Sequence, residues 1–274
     1  MKIPFSKLHG AKNDFLLTMA ADAPLADLPE IARAICNRYT GVGADGWMIV
    51  EPTPGIDRGE NYDATIRLFN SDGSEPELSG NGTRCAALLL RSRYLDEIRI
   101  RTGAGIKHLR LVSIEDDREF FFEMNMGKVR VVELAARVQD FDAVIVDVGN
   151  PQCALPVANF DFDWRTLGAA IENDARFPNR TNVSFIRSID RHSIDVRFWE
   201  RGAGETNSSG TGSTGAALAA LARGFAESPV NVHTPAGPLI VRSEVRSDGA
   251  TWLTGPAEYI ADGVFRYGRM GADD

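Results

Sequence analysis

The strongest constraint in this chain is one sequence pattern that occurs twice. Residues 75–88 and residues 205–218 align without a gap, and both read E-x-x-x-S-G-x-G-[ST]-x-x-A-A-L. A single glycine loop is a weak signal. The same loop repeated before the same Ala/Leu-rich helix predicts a duplicated α/β fold in which both halves contribute to one site.

Composition favours a globular chain of two modest domains. The 274 residues are 43% hydrophobic with a net charge of −8, and this acidic balance argues against nucleic-acid binding. The three cysteines and four histidines are too scattered to indicate disulfides or a metal site. The sequence shows no signal-peptide pattern and no apolar run of membrane length. We therefore expect a cytoplasmic protein with no membrane partner, and a homodimer is left open.

Short strands alternate with helices in the same order in both halves. The predicted helices span residues 28–37, 82–93, 163–175 and 212–223. The predicted strands span residues 3–8, 46–51, 62–69, 98–101, 108–114, 120–124, 143–148, 183–187, 193–199, 230–233, 239–246 and 251–254. No flexible linker separates the halves. The predicted domains are therefore 1–125 with a returning tail at 258–274, and 126–257.

Each repeated loop is suited to binding an anion. A glycine loop that opens a helix presents backbone N–H groups, and the helix dipole adds partial positive charge there. We expect Gly80, Asn81, Gly210 and Thr211 to surround one bound anion. An ordinary strand-to-helix turn is the alternative, and it is the better explanation of one loop but not of a matched pair.

The serine before the first glycine of each repeated loop predicts proton-transfer chemistry. Ser79 and Ser209 would lie on opposite sides of the ligand, as a racemase or epimerase requires for two opposed proton carriers. A small anion with an acidic C–H, such as an amino acid, fits this arrangement. The sequence shows no lysine-centred pyridoxal motif, so we expect no cofactor and carbanion stabilisation by fixed electrostatics.

Several polar residues in apolar or glycine-rich contexts are candidates for binding a small-molecule substrate. Asparagine is often only a turn residue, and Glu200–Arg201 is equally well explained as a surface ion pair. As a set, these residues match an amino acid, because a carboxylate accepts from an ammonium group and arginine binds a carboxylate through two N–H groups. The candidates are Asn13, Asn70, Asn150, Asn182, Glu200 and Arg201.

Seven motifs resemble the diaminopimelate epimerase family, in family order and over nearly the whole chain. They are residues 9–15 (HGAKNDF), 41–46 (GVGADG), 69–75 (FNSDGSE), 80–85 (GNGTRC), 149–151 (GNP), 177–183 (FPNRTNV) and 199–206 (WERGAGET). The resemblance implies two domains, each a strongly curved, mainly antiparallel sheet around a central helix, related by a pseudo-two-fold axis with the active site in the cleft between them. It also implies cofactor-free interconversion of LL- and meso-diaminopimelate in lysine and cell-wall synthesis.

The resemblance assigns roles residue by residue. Asn13, Asn70, Asn150, Asn182, Glu200 and Arg201 fall on substrate-contacting positions, and Gly80–Asn81 and Gly210–Thr211 fall on the pairs that hold the reacting carboxylate. Glu200 and the residue at 152 fall on positions that modulate the catalytic groups' pKa.

The departures from the family concern the acid/base groups. The two catalytic cysteines align with Ser79 and Ser209, and the family's histidine aligns with Gln152. Cys85 matches a second, non-catalytic family cysteine, and we expect it to be a small buried helix residue.

These departures are costly for proton transfer. A thiol titrates near about 8.5 and an alcohol nearer the ~15.7 of water, so forming the base costs on the order of 10 kcal/mol more. Three interpretations remain open. The chain is an epimerase altered at both cysteines, a natural homologue that isomerises or dehydrates a related small acid (proline racemase-like enzymes included), or a ligand-binding protein that has lost catalysis. The serine-rich context of Ser209 and the presence of Gln152 favour a natural variant.

Overall fold

The computed structural model describes residues 1–25, 27–53, 61–94, 96–243 and 250–268. The chain divides into two compact units, Met1–Phe122 with Pro256–Asp274, and Glu123–Gly255. Each unit has its own hydrophobic core. None of the helices in these described ranges is long and apolar enough to cross a membrane.

Among the described residues, the first unit contains two α-helices, six complete strands and the beginning of a seventh. The helices are α1 (Leu28–Ile35) and α2 (Gly80–Tyr94), with a 3-10 turn at Ala20–Asp22. The strands are β1 (Lys2–Gly10), β2 (Asn13–Met19), β3 (Gly46–Pro52), β4 (Ala64–Asn70), β5 (Glu97–Thr102), β6 (Gly105–Glu115) and β7 (Glu119–Gly127). The unit boundary falls within β7.

The second unit contains the other two α-helices. These are α3 (Trp164–Glu172) and α4 (Gly210–Ala222). Its strands are β8 (Arg130–Val138), β9 (Phe141–Asp147), β10 (Pro151–Pro156), β11 (Asn182–Asp190), β12 (Ser193–Glu200), β13 (Gly204–Thr206), β14 (Val230–Thr234), β15 (Gly237–Ser243) and β16 (Thr251–Arg266). The second unit boundary falls within β16, whose later residues pair antiparallel with β1 in the first unit.

Both units use the same order of elements and the same strand directions. In the first unit the order β1-β2-β3-β4-β5-β6 is antiparallel, parallel, antiparallel, parallel and antiparallel. In the second unit the order β9-β10-β11-β12-β14-β15 repeats that alternation. The predicted mixed α/β class, rich in strands and duplicated, is therefore confirmed.

The central helix of each unit is buried on nearly every side. Nine consecutive residues from Gly212 to Ala220 of α4 are buried, and all but Leu218 are small. The helix packs against β9, β10, β11, β12 and β15. A Cβ on Gly212 would lie 2.8 Å from the Phe198 ring, and one on Gly215 would lie 3.0 Å from the side chain of Gln152. Glycine is required at these two positions because the sheet leaves no room for a larger side chain there.

The other helix of each unit covers a separate apolar core. In the first unit α1 packs with Trp47 and Phe69, whose rings lie 6.1 Å apart. In the second unit α3 supplies Trp164, which packs 5.9 Å from the ring of Phe185. These cores fix the strands that carry the candidate site residues.

The predicted helices all form within a few residues of their expected bounds, but four strands of the described residues were not predicted. These are β2, β8, β10 and β13. Strand β2 begins within the polar motif at residues 9–15, and β8 is mostly exposed. Strand β10 is only six residues long with a proline at each end, and β13 is only three residues long. Strand β16 continues to Arg266 instead of ending at 254, because its later residues pair with β1. The expected strand at 239–246 forms as β15, and residues 244–246 lie outside the described residues.

Candidate active site

Both predicted catalytic serines cap the central helices. The N–H of Gly82 donates to Ser79 Oγ at 3.1 Å, and the N–H of Gly212 donates to Ser209 Oγ at 3.1 Å. An N-cap serine satisfies one of the N–H groups that a helix start leaves without an intrahelical partner. Each serine therefore fixes where its helix begins and lies beside the predicted anion-binding glycine.

In the first unit, two predicted substrate-binding asparagines contact each other. Asn13 is the first residue of β2, following a tight turn in which Ala11 and Lys12 both have positive φ. Asn81 Nδ2 donates to Asn13 Oδ1 at 3.3 Å, and Asn13 Nδ2 donates to Asp45 Oδ2 at 2.6 Å. The repeated loop and the start of β2 are thus joined by side-chain hydrogen bonds.

Asp45 belongs to a charged cluster that the sequence analysis did not assign to the site. Arg38 donates to both Asp45 and Asp14, and Lys7 lies 3.1 Å from Asp14. Burial would raise the pKa of Asp14, but the hydrogen bonds and charges of Arg38 and Lys7 hold it below its usual value. The cluster holds the Asp45 carboxylate in position to accept the hydrogen bond from Asn13 Nδ2.

Asn70 lies apart from this pair. It ends β4, and its Nδ2 donates to Ser74 Oγ at 2.9 Å, within the turn that follows the strand. The backbone N–H of Ser71 donates to Asp45 O at 3.0 Å, which ties this turn to the charged cluster. A pocket of about 410 Å³ opens beside Ser79, and its walls include Arg67, Glu75 and Arg101.

In the second unit, Glu200 and Ser209 form a hydrogen-bonded pair. Glu200 accepts from Ser209 Oγ at 3.1 Å and from Thr206 Oγ1 at 2.6 Å. The residue as a whole is only partly buried, but its carboxylate is largely removed from solvent. That burial raises the pKa of Glu200, and the two hydroxyl hydrogen bonds offset the rise only in part. The carboxylate is not paired with Arg201, so the surface ion pair considered as an alternative does not form between these two described residues.

Gln152 contacts an asparagine in the second unit. Its Nε2 donates to Asn150 Oδ1 at 2.7 Å, and Asn150 Nδ2 donates to Thr211 Oγ1 at 3.4 Å. Gln152 is 1% exposed, and its Oε1 has no hydrogen-bond partner in the described part of the chain. The neutral amide therefore orients Asn150 toward the start of α4.

Asn182 connects two loops of the second unit. Its Nδ2 donates to Pro151 O at 3.1 Å, and its Oδ1 accepts from the backbone N–H of Arg201 at 3.0 Å. The guanidinium of Arg201 is exposed and donates to Asn179 O at 3.0 Å. Hydrogen bonds thus connect the second unit's candidate residues in three small groups.

A buried carboxylate, Glu172, holds the turn after β12. The sequence analysis did not identify this residue. Glu172 Oε1 accepts from Arg180 Nη1 and from the N–H of Gly202, both at 2.9 Å, and Oε2 accepts from Trp199 Nε1 at 2.8 Å. Residues 199 and 202 flank Glu200 and Arg201, so Glu172 fixes the backbone that carries them. One signal was available: an acidic residue in the last turn of a helix opposes the helix dipole and needs partners of its own.

Cys85 is a buried residue of α2, as expected. Cys36, Cys85 and Cys153 are all free and buried. Burial raises the pKa of Cys85 to about 12, which leaves its thiol protonated near neutral pH. No group of three or more His, Cys, Asp or Glu side chains suited to a metal ion occurs among the residues that the structure describes.

Comparison with known sequences identifies one family. A sequence model of the family described as diaminopimelate epimerase matches residues 5–132 and 144–260. A diaminopimelate epimerase of Desulfitobacterium hafniense is 37% identical over 281 residues, which cover 94% of this chain and 96% of that protein. One from Teredinibacter turnerae is 36% identical over 282 residues, covering 96% and 99%.

Comparison with solved structures concerns the fold alone. A phenazine biosynthesis protein of the PhzF family from Bacillus anthracis superposes with a TM-score of 0.72 at 17% identity, covering 96% of this chain and 99% of that chain. A hydroxyproline epimerase from Agrobacterium vitis superposes with a TM-score of 0.66 at 14% identity, covering 96% and 92%.

We expect Glu172→Gln to destabilise the second unit. An amide presents only one acceptor oxygen, so its NH₂ group would face either the N–H of Trp199 or the donors of Gly202 and Arg180. A buried donor left unsatisfied costs about 1–3 kcal/mol, measurable as a lower free energy of unfolding in urea. Glu75→Gln is the control, since Glu75 is in an exposed ion pair with Arg67 and such pairs contribute little. Equal effects of the two changes would contradict the clamp.

The raised pKa of Glu200 predicts a pH-dependent stability difference. Between its ordinary value of 4.5 and its raised folded value, the folded state holds more protons than the unfolded state, so the parent loses stability as pH rises. The free energy of unfolding of Glu200→Gln minus that of the parent should therefore grow with pH in this window and then level off.

Urea unfolding between pH 3 and pH 9 measures this difference and also covers the range below 4.5 in which Glu227 titrates. Glu227→Gln is the control with the opposite sign, because Arg191 lowers the pKa of Glu227 and its contribution is lost as pH falls. A difference for Glu200→Gln that stays flat or shrinks with rising pH would show that its carboxylate is not desolvated.

Proposed function

The chain belongs to the diaminopimelate epimerase family, and from that premise we propose that it binds diaminopimelate or a close analogue and epimerises it at the α-carbon without a cofactor. The reaction interconverts the LL and meso forms by removing a proton from one face and returning one on the other. The proposed setting is cytoplasmic lysine and cell-wall synthesis.

The proposed substrate is recognised by its charged groups. The N-termini of α2 and α4, at Gly80–Asn81 and Gly210–Thr211, are suited to the carboxylate next to the reacting carbon. Arg201 is exposed and carries a guanidinium that suits the second carboxylate. Amides complete the set, because they can both donate to carboxylates and accept from ammonium groups. These are Asn13, Asn70, Asn150 and Asn182.

The hydrogen bond from Ser209 to Glu200 carries the catalytic part of the proposal. A carboxylate with a raised pKa takes up a proton more readily than an exposed one. In the proposed step, Ser209 Oγ removes the α-proton while its own proton passes to Glu200 Oε2. The C–H bond breaks, the serine remains neutral, Glu200 becomes neutral, and the electron pair stays on the α-carbon.

Ser79 is proposed to serve the opposite face at a lower rate. Its Oγ accepts from Gly82 N–H, and no hydrogen bond joins it to a carboxylate in the described part of the first unit. When its hydroxyl gives a proton to the carbanion, the alkoxide left behind is stabilised only by N–H donors and the helix dipole. Proton exchange at the Ser209 face should therefore be faster than full epimerisation.

The helix-capping role of both serines favours a second candidate, a protein that binds the ligand without reacting it. An N-cap hydroxyl serves the helix whether or not it transfers protons, and an alcohol titrates far above a thiol. In that case Gln152 and the two serines keep the binding residues in place while catalysis is lost.

Binding and proton exchange measured together separate these candidates. We expect calorimetry to show diaminopimelate binding in preference to lysine, which lacks the second carboxylate. In heavy water, the parent should incorporate deuterium at the α-carbon faster than it interconverts the isomers, and Glu200→Gln should abolish that exchange. Binding without exchange supports the binding protein, and equal or absent binding of both amino acids removes diaminopimelate as the ligand.

Replacing the serines with cysteines should increase the reaction rate. A thiolate is accessible near neutral pH, so Ser79→Cys with Ser209→Cys should raise the epimerisation rate by several orders of magnitude. Each single change should have a much smaller effect on epimerisation, because two faces need two carriers. Ser208→Cys is the matched control, placing a thiol beside but not at the second position. A double variant that binds diaminopimelate as tightly as the parent yet shows no exchange would contradict the assigned roles.

A further inference from the structure

A fully buried arginine lies directly behind the first repeated loop. Arg84 is in the second turn of α2 and is 0% exposed. Its Nη2 donates to Asn81 Oδ1 at 2.5 Å, and its Nε donates to Pro256 O at 3.2 Å. Helical side chains point back toward the N-terminus, which brings the guanidinium alongside a residue three positions earlier. The positive charge is therefore close to the start of α2.

This cation has no anionic partner among the described residues. Arg84 takes part in none of their ion pairs, and its Nη1 has no hydrogen-bond partner. Burial lowers the pKa of Arg84 to about 10, and no carboxylate raises it. Burying an unpaired charge costs free energy, so the two hydrogen bonds to Asn81 and Pro256 do not by themselves explain an arginine at this position.

Arg84 determines the orientation of two side-chain amides. A guanidinium only donates, so it must face Asn81 through the oxygen of that amide. The amide nitrogen then points to Asn13 Oδ1, and the nitrogen of Asn13 points to Asp45. Three hydrogen bonds therefore run in one direction, from the Arg84 cation to the Asp45 carboxylate. Rotating either amide by 180° would place two donors or two acceptors against each other.

The second unit has no equivalent of this arginine. In the repeated pattern, Arg84 aligns with Thr214, a buried neutral residue whose Oγ1 donates to Gly210 O at 2.8 Å. A hydroxyl suffices to fill this position in the helix. The arginine of the first unit therefore supplies something that packing does not require.

We propose that Arg84 is a positioning residue for substrate binding, which holds Asn81 and Asn13 in their binding orientation and supplies positive charge behind the anion-binding start of α2. The inference rests on the proposed function, since the bound substrate carboxylate is the counter-charge that the cation lacks. Arg84 acts through Asn81 and through its field, and it does not itself touch the reacting atoms.

Three variants separate orientation, charge and packing. Arg84→Met removes the charge and the donor while keeping most of the volume. Arg84→Lys keeps the charge but loses the planar set of donors. Arg91→Met makes the same chemical change two turns further along α2, where the guanidinium lies 5.3 Å from the ring of Phe120.

The first measurement needs no ligand. In Arg84→Met, the side-chain amide protons of Asn81 and Asn13 should exchange with solvent about tenfold faster or more, as followed by NMR on nitrogen-15-labelled protein. Those of Asn150, in the other unit, should be unchanged, as should all of them in Arg91→Met. Unchanged exchange at Asn81 and Asn13 would overturn the orienting role, whether or not diaminopimelate proves to be the ligand.

The second measurement is calorimetric titration with diaminopimelate. Arg84→Met should weaken binding by about 10- to 100-fold, Arg84→Lys by less than Arg84→Met, and Arg91→Met by less than about twofold. Equal losses in the Lys and Met variants would overturn the charge contribution, and no loss in either would overturn the proposal.

The controls separate this inference from the proposed function and from misfolding. Failure of the parent itself to bind diaminopimelate counts against the proposed function alone, because the amide-exchange measurement still decides the role of Arg84. If Arg84→Met does not fold, Arg84→Lys provides the test, since its expected faster amide exchange with partly retained affinity differs from a general loss of structure.

Discussion

The strands that enclose α4 leave little room for large side chains along most of the helix, and the rest of the second unit depends on this limit. In α4 the enclosing strands come close enough that a methyl group on Gly212 would meet Phe198. The helix is therefore built mainly from small residues, and its polar N-terminus carries the candidate site residues of this unit. The capping serines, at Ser79 and Ser209, follow from the same limit, because a buried helix start needs a partner for its N–H groups within the loop itself.

The two copies of the repeated loop have different charged residues beside them. Behind the first loop lies a cation without a carboxylate partner among the described residues, Arg84, while beside the second loop lies a carboxylate with a raised pKa, Glu200. The aligned position Thr214 is neutral, and the described bonds of Ser79 include none to a carboxylate. The two loops thus differ in the charged group beside them, although both have the same backbone design.

Much of this was accessible from the sequence because it depends on local patterns. The Gly/Ala helices, the duplicated loop and the family motifs all lie in short contiguous stretches. Strand β10 was missed because its pairing, not its composition, makes it a strand. The clamp of Glu172 on Trp199 and Gly202 and the contact of Arg84 with Pro256 join residues far apart in sequence. Such contacts become visible only when the strands are in register, and the desolvation that raises the pKa of Glu200 has the same origin.

The pairing of β1 with β16 has a consequence for the order in which the chain acquires its structure during synthesis. Ser6 pairs with Asp262, and Lys2 pairs with Arg266, so the first unit joins two stretches that are far apart in sequence. The second unit is one continuous stretch, Glu123–Gly255. All of its residues are synthesised while strand β1 still waits for its partner. The N-terminal unit is therefore the later one to close, and an interrupted translation product would leave the edge of β1 exposed to other chains.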